Sequence, residues 1–146
     1  MAPLLELPAV LAKSPSFQIE SVHRHTKNEV ERALAEENTT IREYWILSCV
    51  TAQPCSQTQL ATLLAIDASD MVRLIDSLEG HGWVTRDRDP KDRRRQIVTP
   101  TKKGTKAHAE LAARVAAAEE RALDASSQKQ LKSLKKLSRA ILGDAE

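Results

Sequence analysis

The spacing of apolar positions divides the chain into helical stretches interrupted once by two short β-capable runs. From Ser16 onward, Ile19, Val22, Thr26, Val30, Ala33 and Leu34 recur at helical intervals among Glu and Arg. This periodicity predicts a first long helix over about residues 17–36. Thr40-Ile41-Arg42-Glu43 has the form of a capping box, in which the hydroxyl answers a free N–H and the carboxylate reaches back. The helix it opens, running to about Thr51, carries Ile41, Tyr44, Trp45, Ile46, Leu47, Cys49 and Val50 around most of its circumference, so most of its faces should be buried. Gln53-Pro54 ends it, and Ser56-Gln57-Thr58-Gln59 repeats the capping pattern ahead of a short helix through Leu60, Leu63 and Leu64.

After a tight Ala65-Ile66 link, Asp67 is placed to cap a further helix, with Asp70 at its third position and Met71, Leu74, Ile75 and Leu78 as its buried stripe. Gly80 and Gly82 are stop signals, with Gly82 the expected left-handed residue. Two short helices joined by a three-residue turn form a helix-turn-helix pattern, the second presenting Ala68, Ser69, Asp70, Val72 and Arg73 on its other face. That pattern is weak by itself, because helical hairpins are common.

The next stretch, Trp83 to Val98 (WVTRDRDPKDRRRQIV), sharpens it. Asp89-Pro90-Lys91-Asp92 is turn chemistry: Pro fixes one φ, and Asp can bond its own backbone two residues on. The flanking runs therefore make a hairpin with a basic tip. Between Arg86 and Lys106 there are nine basic residues and three acidic ones, a local balance of +6 in a chain of net charge +2. A solvated charged loop would explain the charge alone. A helix-turn-helix followed at once by a basic hairpin is more specific, since each groove of B-DNA then has a reader and each neutralised phosphate releases counterions.

Beyond the hairpin, Thr101 caps a long helix over about residues 102–123, whose apolar stripe of Ala107, Leu111, Val115, Ala118 and Ala122 is mostly small and allows close helix approach. Asp124 to Ser127 break it, and Leu131, Leu134, Leu137, Ile141 and Leu142 mark a final helix with lysines outside. With the first helix these form a layer lacking a core of its own to cover, so burial against a second copy of the chain is expected. A coiled coil is disfavoured because the apolar repeat is too short. Residues 1–16 hold Pro3, Pro8 and Pro15, which exclude a long helix, yet Leu4, Leu5, Leu7, Val10 and Leu11 need cover. An arm packed on a partner subunit or on the last helix would supply it.

At 146 residues the chain is sized for one domain, or one domain with a dimerisation arm. Its 41% apolar and 29% charged residues are ordinary for a soluble protein, and no apolar run approaches the roughly 20 residues of a membrane span. The N-terminal MAPLLELPAVLAK lacks a basic n-region and is broken by Glu6 and Pro8, so it reads as mature sequence, with a cytoplasmic location expected. Cys49 and Cys55 cannot form a disulfide framework or a zinc site. The four histidines, His23, His25, His81 and His108, are scattered, and no Gly-rich phosphate loop is present. Neither an enzyme nor a cofactor or metal site is expected.

The segment from Leu63-Leu64-Ala65-Ile66-Asp67 through Leu78-Glu79, then Gly82-Trp83-Val84, Arg88-Asp89-Pro90-Lys91-Asp92-Arg93-Arg94 and Thr99 through Lys103-Gly104, resembles the multiple antibiotic resistance regulator (MarR) family of bacterial winged-helix repressors. The resemblance covers about residues 40–105, with the flanking helices matching in position and length and not by motif. It implies a mainly α fold with a small β-hairpin: a winged helix-turn-helix with N- and C-terminal dimerisation helices. The divisions expected are 1–38, an arm and dimerisation helix; 39–100, the winged DNA-binding region; and 101–146, C-terminal dimerisation helices, as one continuous domain. The family's members are homodimers that bind pseudo-palindromic operators of double-stranded DNA. Many release it on binding a small aromatic or phenolic effector, and some respond to cysteine oxidation.

Transferred by position, the resemblance gives DNA-facing roles to Ser56, Ala68, Ser69, Asp70, Val72, Arg73, Arg88, Lys91, Arg93, Arg94 and Arg95. Arg73 is able to bind guanine O6 and N7 or to clamp a phosphate. Asp70 departs from the hydroxyl usual there, since a carboxylate near phosphates is unfavourable unless it caps the helix or accepts from cytosine N4. In the wing, Asp92 should brace the loop and Arg94 enter the minor groove, while Arg93 and Arg95 add charge and alternation along the strand would keep the three arginines from all pointing the same way. The family's effector cleft would draw on His23, Arg42, Tyr44 and Trp45, although Trp45 also reads as core and His23 as an interface histidine. Alternatives are a redox-responsive regulator using Cys55, at a helix N-terminus where the dipole lowers thiol pKa, with buried Cys49; or a winged-helix module that binds proteins, whose wing should be less basic.

Overall fold

A computed structural model of the chain describes residues 5–143. Pro3 and Leu4 of the expected arm, and residues 144–146, lie outside the described residues. The elements in order are α1 (Ala9–Ala12), α2 (Pro15–Ala35), α3 (Ile41–Ala52), β1 (Cys55–Ser56), α4 (Gln57–Leu64), α5 (Ala68–Gly80), β2 (Val84–Arg88), β3 (Gln96–Pro100), α6 (Lys102–Ala122) and α7 (Gln128–Leu142). The apolar periodicity therefore located every long helix to within a few residues.

Side-chain caps set most of the boundaries. Ser56 accepts from Gln59 N–H while the Gln59 side chain accepts from Ser56 N–H, the reciprocal box expected at α4, and Ser127 with Gln130 repeats it at α7. Thr40 does accept from Glu43 N–H at 3.3 Å, but the Glu43 carboxylate does not turn back to complete a box. It points inward, 6% exposed, and accepts from Thr39 Oγ1 at 3.3 Å and from Ser77 Oγ of α5 at 3.2 Å, with His81 Nε2 3.8 Å away. A buried carboxylate must find donors, and those it finds tie α3 to α5. At α5 the cap is Asp67, whose Oδ1 accepts from Ser69 N–H at 2.7 Å. Asp70 is not part of that cap.

The sheet is three-stranded and antiparallel in the order β1-β3-β2. β2 and β3 form the expected hairpin, with Arg86 opposite Val98. The strand β1 was not foreseen: two residues, Cys55 and Ser56, pair with Val98 and Ile97 on the other edge of β3. Two residues carry no period, and only the presence of β3 makes them a strand.

Residues 30–117 form one compact unit. Its core joins Leu34, Ile46, Leu47, Val50, Leu60, Met71, Ile75, Leu78, Val98 and Leu111, all essentially without solvent exposure. Residues 1–29 with 118–146 form a second unit, within which His25 Nε2 lies 2.8 Å from the Ala122 carbonyl and Arg121 faces Glu29 at 3.8 Å. There the apolar side chains are left uncovered: no residue of α7 is buried, and Leu7, Val10, Ile19, Val22, Leu134, Leu137 and Ile141 are exposed. Ordinary soluble surfaces scatter such residues singly.

Two backbone positions fix the helix-turn-helix and the root of the wing. The α4–α5 turn places Ala65 in the left-handed region at φ 52°, where Ile66 N–H reaches the Ala61 carbonyl at 3.0 Å and Ile66 is buried. Gly82 adopts φ 76° as expected, whereas Gly80 is still helical. Thr101 N–H donates to the Trp83 carbonyl and its hydroxyl accepts from Gly104 N–H, each at 2.9 Å. A Cβ at Gly104 would overlap that Trp83 carbonyl. Gly104→Ala is therefore expected to lose about 3 kcal/mol or more of stability in urea unfolding, since backbone offers no room to yield. Ala65→Gly should instead gain about 0.5–1 kcal/mol, by relieving the Cβ penalty of the left-handed turn.

Candidate nucleic-acid interface

One side chain, Arg86, ties α5 to the β2–β3 hairpin through its charge. Arg86 of β2, its side chain only 18% exposed, donates to Asp76 and Glu79 of α5, the latter at 2.6 Å, and to Gln57 Oε1 of α4 at 2.9 Å. Burial disfavours its charge, but the two carboxylates outweigh that and raise its pKa. Arg86 thus belongs to the frame and not to the free positive surface, so the local excess of +6 overstates what a polyanion would meet.

The tip is held by its own aspartates. Asp89 Oδ1 accepts from Lys91 N–H at 2.9 Å and Asp92 Oδ1 from Arg94 N–H at 3.1 Å, both the two-residue turns that the sequence suggested. Backbone bonds from Asp89 N–H to Arg95 O and from Arg95 N–H to Asp92 O, each 2.9 Å, close the loop. Asp92 also meets Arg94 Nε at 3.3 Å, yet the Arg94 side chain is 94% exposed and projects from the loop. Arg88 donates to the Arg93 carbonyl at 3.1 Å, and Arg95 faces Asp89 at 3.8 Å. Arg93, Arg94 and Arg95 all precede β3, which starts at Gln96, so strand alternation does not decide where they point. Lys91 and Arg93 are exposed beside Arg94.

On α5, Ala68, Ser69, Val72 and Arg73 are exposed and Asp70 is half-buried, so this face is presented together. Asp70 Oδ1 accepts from Arg73 Nη2, and its Oδ2 lies 3.7 Å from Arg42 Nη1 of α3. Asp67 is fully exposed, and its pKa is lowered by hydrogen bonds from the Ser69 hydroxyl and N–H, with Arg73 adding a smaller push. Ser56 does not join this face. It is 1% exposed and its hydroxyl is committed to the Gln59 N–H, so its side chain has no access to a phosphate.

The residues assigned to an effector do not form one group. Arg42 is engaged with Asp70 on the recognition side. His23 is exposed on α2 in the terminal unit, and Trp45 is 41% exposed, which removes the core reading for it. Tyr44 is half-buried and stacks on His108 of α6, ring centroids 5.6 Å apart. His108 Nε2 lies 2.9 Å from Ser48 Oγ, and that hydroxyl already donates to the Tyr44 carbonyl at 2.8 Å, so Nε2 is the donor. Burial lowers the His108 pKa, which keeps the ring neutral. The signal for His108 in the sequence is its place beside Ala107 and Leu111 on the apolar stripe of its helix. Concavities of about 320 Å3 beside Trp83 and Lys103 and about 470 Å3 beside Cys55 and Leu63 include none of Tyr44, Trp45 or His108.

The cysteines also differ from expectation. Cys49 is half-buried and not fully enclosed, and Cys55 lies in β1, ahead of the cap at Ser56. Its thiol donates to the Gln53 carbonyl at 3.0 Å, and burial pushes its pKa up; burial, then the nearby Cys55, does the same for Cys49. Cys55 thus lies ahead of the N-cap of α4 and not in its first turn.

Known proteins share this layout. The model of the MarR family matches residues 40–95. A MarR-family transcriptional regulator from Rhodococcus sp. RHA1 superposes with a TM-score of 0.86 at 26% identity, covering 92% of this chain and 96% of that one. The transcriptional repressor CouR bound to a 23-mer DNA duplex gives the same TM-score and identity over 94% and 99% of the two chains. CouR from Rhodococcus jostii RHA1 bound to p-coumaroyl-CoA, at 24% identity and a TM-score of 0.81 over 92% and 95%, adds to the likeness in fold. A protein of Thauera aromatica, whose name assigns it provisionally to transcriptional regulation of the hcr operon, is 34% identical over 76 residues. That alignment takes in 51% of this chain and 46% of the relative, less than half of the latter's length. The winged region of this chain thus matches the MarR family in sequence, and 92% of its length matches a MarR-family regulator in fold.

Proposed function

We propose that the protein is a sequence-specific DNA-binding transcriptional regulator, a repressor that acts as a homodimer on a pseudo-palindromic operator and is released by a small aromatic or phenolic effector. One observation carries the reading: a basic loop with Arg94 almost wholly exposed is locked by Arg86 to the helix that presents Ser69, Val72 and Arg73. The likeness to a repressor crystallised on duplex DNA supports it. The helix face supplies base contacts in the major groove, and Arg88, Lys91, Arg93, Arg94 and Arg95 supply phosphate and minor-groove contacts that set affinity and register. No catalytic step is assigned to any residue, and DNA as the target suits a cytoplasmic location.

The segments 1–38 and 101–146 are read as the dimerisation parts. Support comes from the uncovered apolar side chains of α2 and α7, which a second copy would bury. In the dimer the two recognition helices would stand about 34–36 Å apart, one turn of DNA. An effector that binds one spacing better than another shifts the population toward it, and equal affinity for both would do nothing. Of the four effector candidates, Tyr44 is stacked on His108, whose Nε2 is engaged by Ser48, so an aromatic effector reading this face would have to displace that stack. The redox alternative is weakened by the raised thiol pKa values, and the exposed arginine tip favours DNA over a protein partner.

Arg94→Ala should weaken duplex binding uniformly across sequences and reduce the slope of log K against log salt by about 1, measured by fluorescence anisotropy. An unchanged slope removes Arg94 from the interface. Leu137→Glu combined with Ile141→Glu should shift the sedimentation coefficient from dimer to monomer and abolish binding to a two-half-site duplex while leaving the helical circular dichroism signal; a dimer that persists refutes the role given to α7.

A further inference from the structure

We infer that Asp70 determines specificity on the recognition helix: neutralised by Arg42 from α3, it holds the Arg73 guanidinium as an oriented reader of guanine and keeps it from acting as a general phosphate clamp. This rests on the DNA-binding reading above. The starting point is that Asp70, an acid in the first turn that favours the helix dipole, does not make the α5 cap and does not need a second guanidinium for that duty. The α5 cap is already made by Asp67, through Ser69. A pair spaced i,i+3 on an exposed helix needs only two partners, whereas here a second guanidinium, from another helix, converges on the same carboxylate.

The trio has a net charge of +1, so a carboxylate stands on the groove-facing surface without making that surface negative. Asp70 takes up one N–H of Arg73 at Nη2. A guanidinium has five N–H donors in a rigid fork, and the remaining edge is still able to meet guanine O6 and N7 together. A phosphate at the same place would meet the Asp70 charge as well as Arg73, and that repulsion acts only against the anion. Guanine presents two neutral acceptors and escapes it. The carboxylate thus subtracts from non-specific affinity while leaving the specific contact, which is how discrimination is raised by repulsion as well as attraction.

The test uses the full-length protein and a pool of duplexes with a randomised centre, sequenced after selection, together with affinities for one selected and one unrelated duplex at several salt concentrations. The wild type should enrich half-sites with a fixed guanine, and Arg73→Ala should lose that guanine alone. Asp70→Asn, which keeps the shape and removes the charge, should relax the same guanine preference by about tenfold or more while binding the unrelated duplex more tightly and with a steeper salt slope. Arg42→Ala should weaken both duplexes and keep the guanine preference. Unfolding midpoints matching the wild type exclude a folding defect, which would lower both affinities together. The inference is overturned if Asp70→Asn keeps its guanine preference within about twofold, or if it loses a cytosine preference at a position that Arg73→Ala leaves intact, the mark of Asp70 reading a base itself. A wild type that enriches no sequence overturns the DNA-binding reading instead.

Discussion

Four carboxylates, at Asp67, Asp70, Asp76 and Glu79, stand on α5 or at its head, against one cation, Arg73, on the same helix. A helix of that charge repels a polyanion. The rest of the arrangement answers this constraint. Asp76 and Glu79 are met by Arg86 from the wing, and Asp70 by Arg42 from α3 as well as Arg73. The cations that offset most of this charge, leaving a balance of −1, come from Arg73 and from the elements on either side of the helix, so docking those elements also lowers its negative charge. Loss of Arg86 would cost both the geometry of the wing and that charge compensation, effects that double-mutant cycles with Asp76 could separate.

Beneath that charged layer lies a second tie of the opposite character. Glu43 is buried and satisfied by hydroxyls, with His81 near it and stacked on Trp83 at 4.1 Å. Trp83 in turn offers its carbonyl to Thr101, where the absence of a Cβ at Gly104 lets α6 begin against it. A run of specific contacts therefore leads from α3 through the end of α5 and the root of the wing to the start of α6. Surface pairs such as Arg42–Asp70 contribute little to stability, and the rigidity that a groove reader needs must come from this buried run.

The parts legible in the sequence were those in which one residue acts within its own segment. Caps at Ser56, Asp67 and Thr101, the left-handed Gly82, and the aspartate turns of the wing all depend on neighbours within a few positions, and the long apolar stripes set the helices. What escaped notice depends on distant partners. Glu43 looked like the second half of a capping box because spacing cannot say which way a side chain turns; its donors lie up to 34 residues away. Ser56 has the residue type of a phosphate ligand but is sealed by its own cap and by β3. Arg86 is one more cation in the sequence and a charge tie in the fold, because its carboxylates lie on α5, and Cys55 precedes the cap of α4 instead of lying in its first turn. Ala65 in a left-handed turn and the two-residue β1 have no local signal at all.

The division of labour within the winged unit follows from these different kinds of contact. Lys91, Arg93 and Arg94 are exposed on a loop whose backbone is fixed, an arrangement suited to phosphates, which tolerate a mobile cation. A base edge requires a side chain whose direction is already set, because two hydrogen bonds must form together and a wrongly aimed fork makes neither. Arg73, exposed on a helix, would have many rotamers open to it if nothing held it. Its hold is Asp70, and the charge this introduces is tolerable only because Arg42 stands behind it. On the function proposed, affinity and selectivity would then fall to separate residues on separate elements, and a substitution in the wing should change how tightly the protein binds without changing which sequence it prefers.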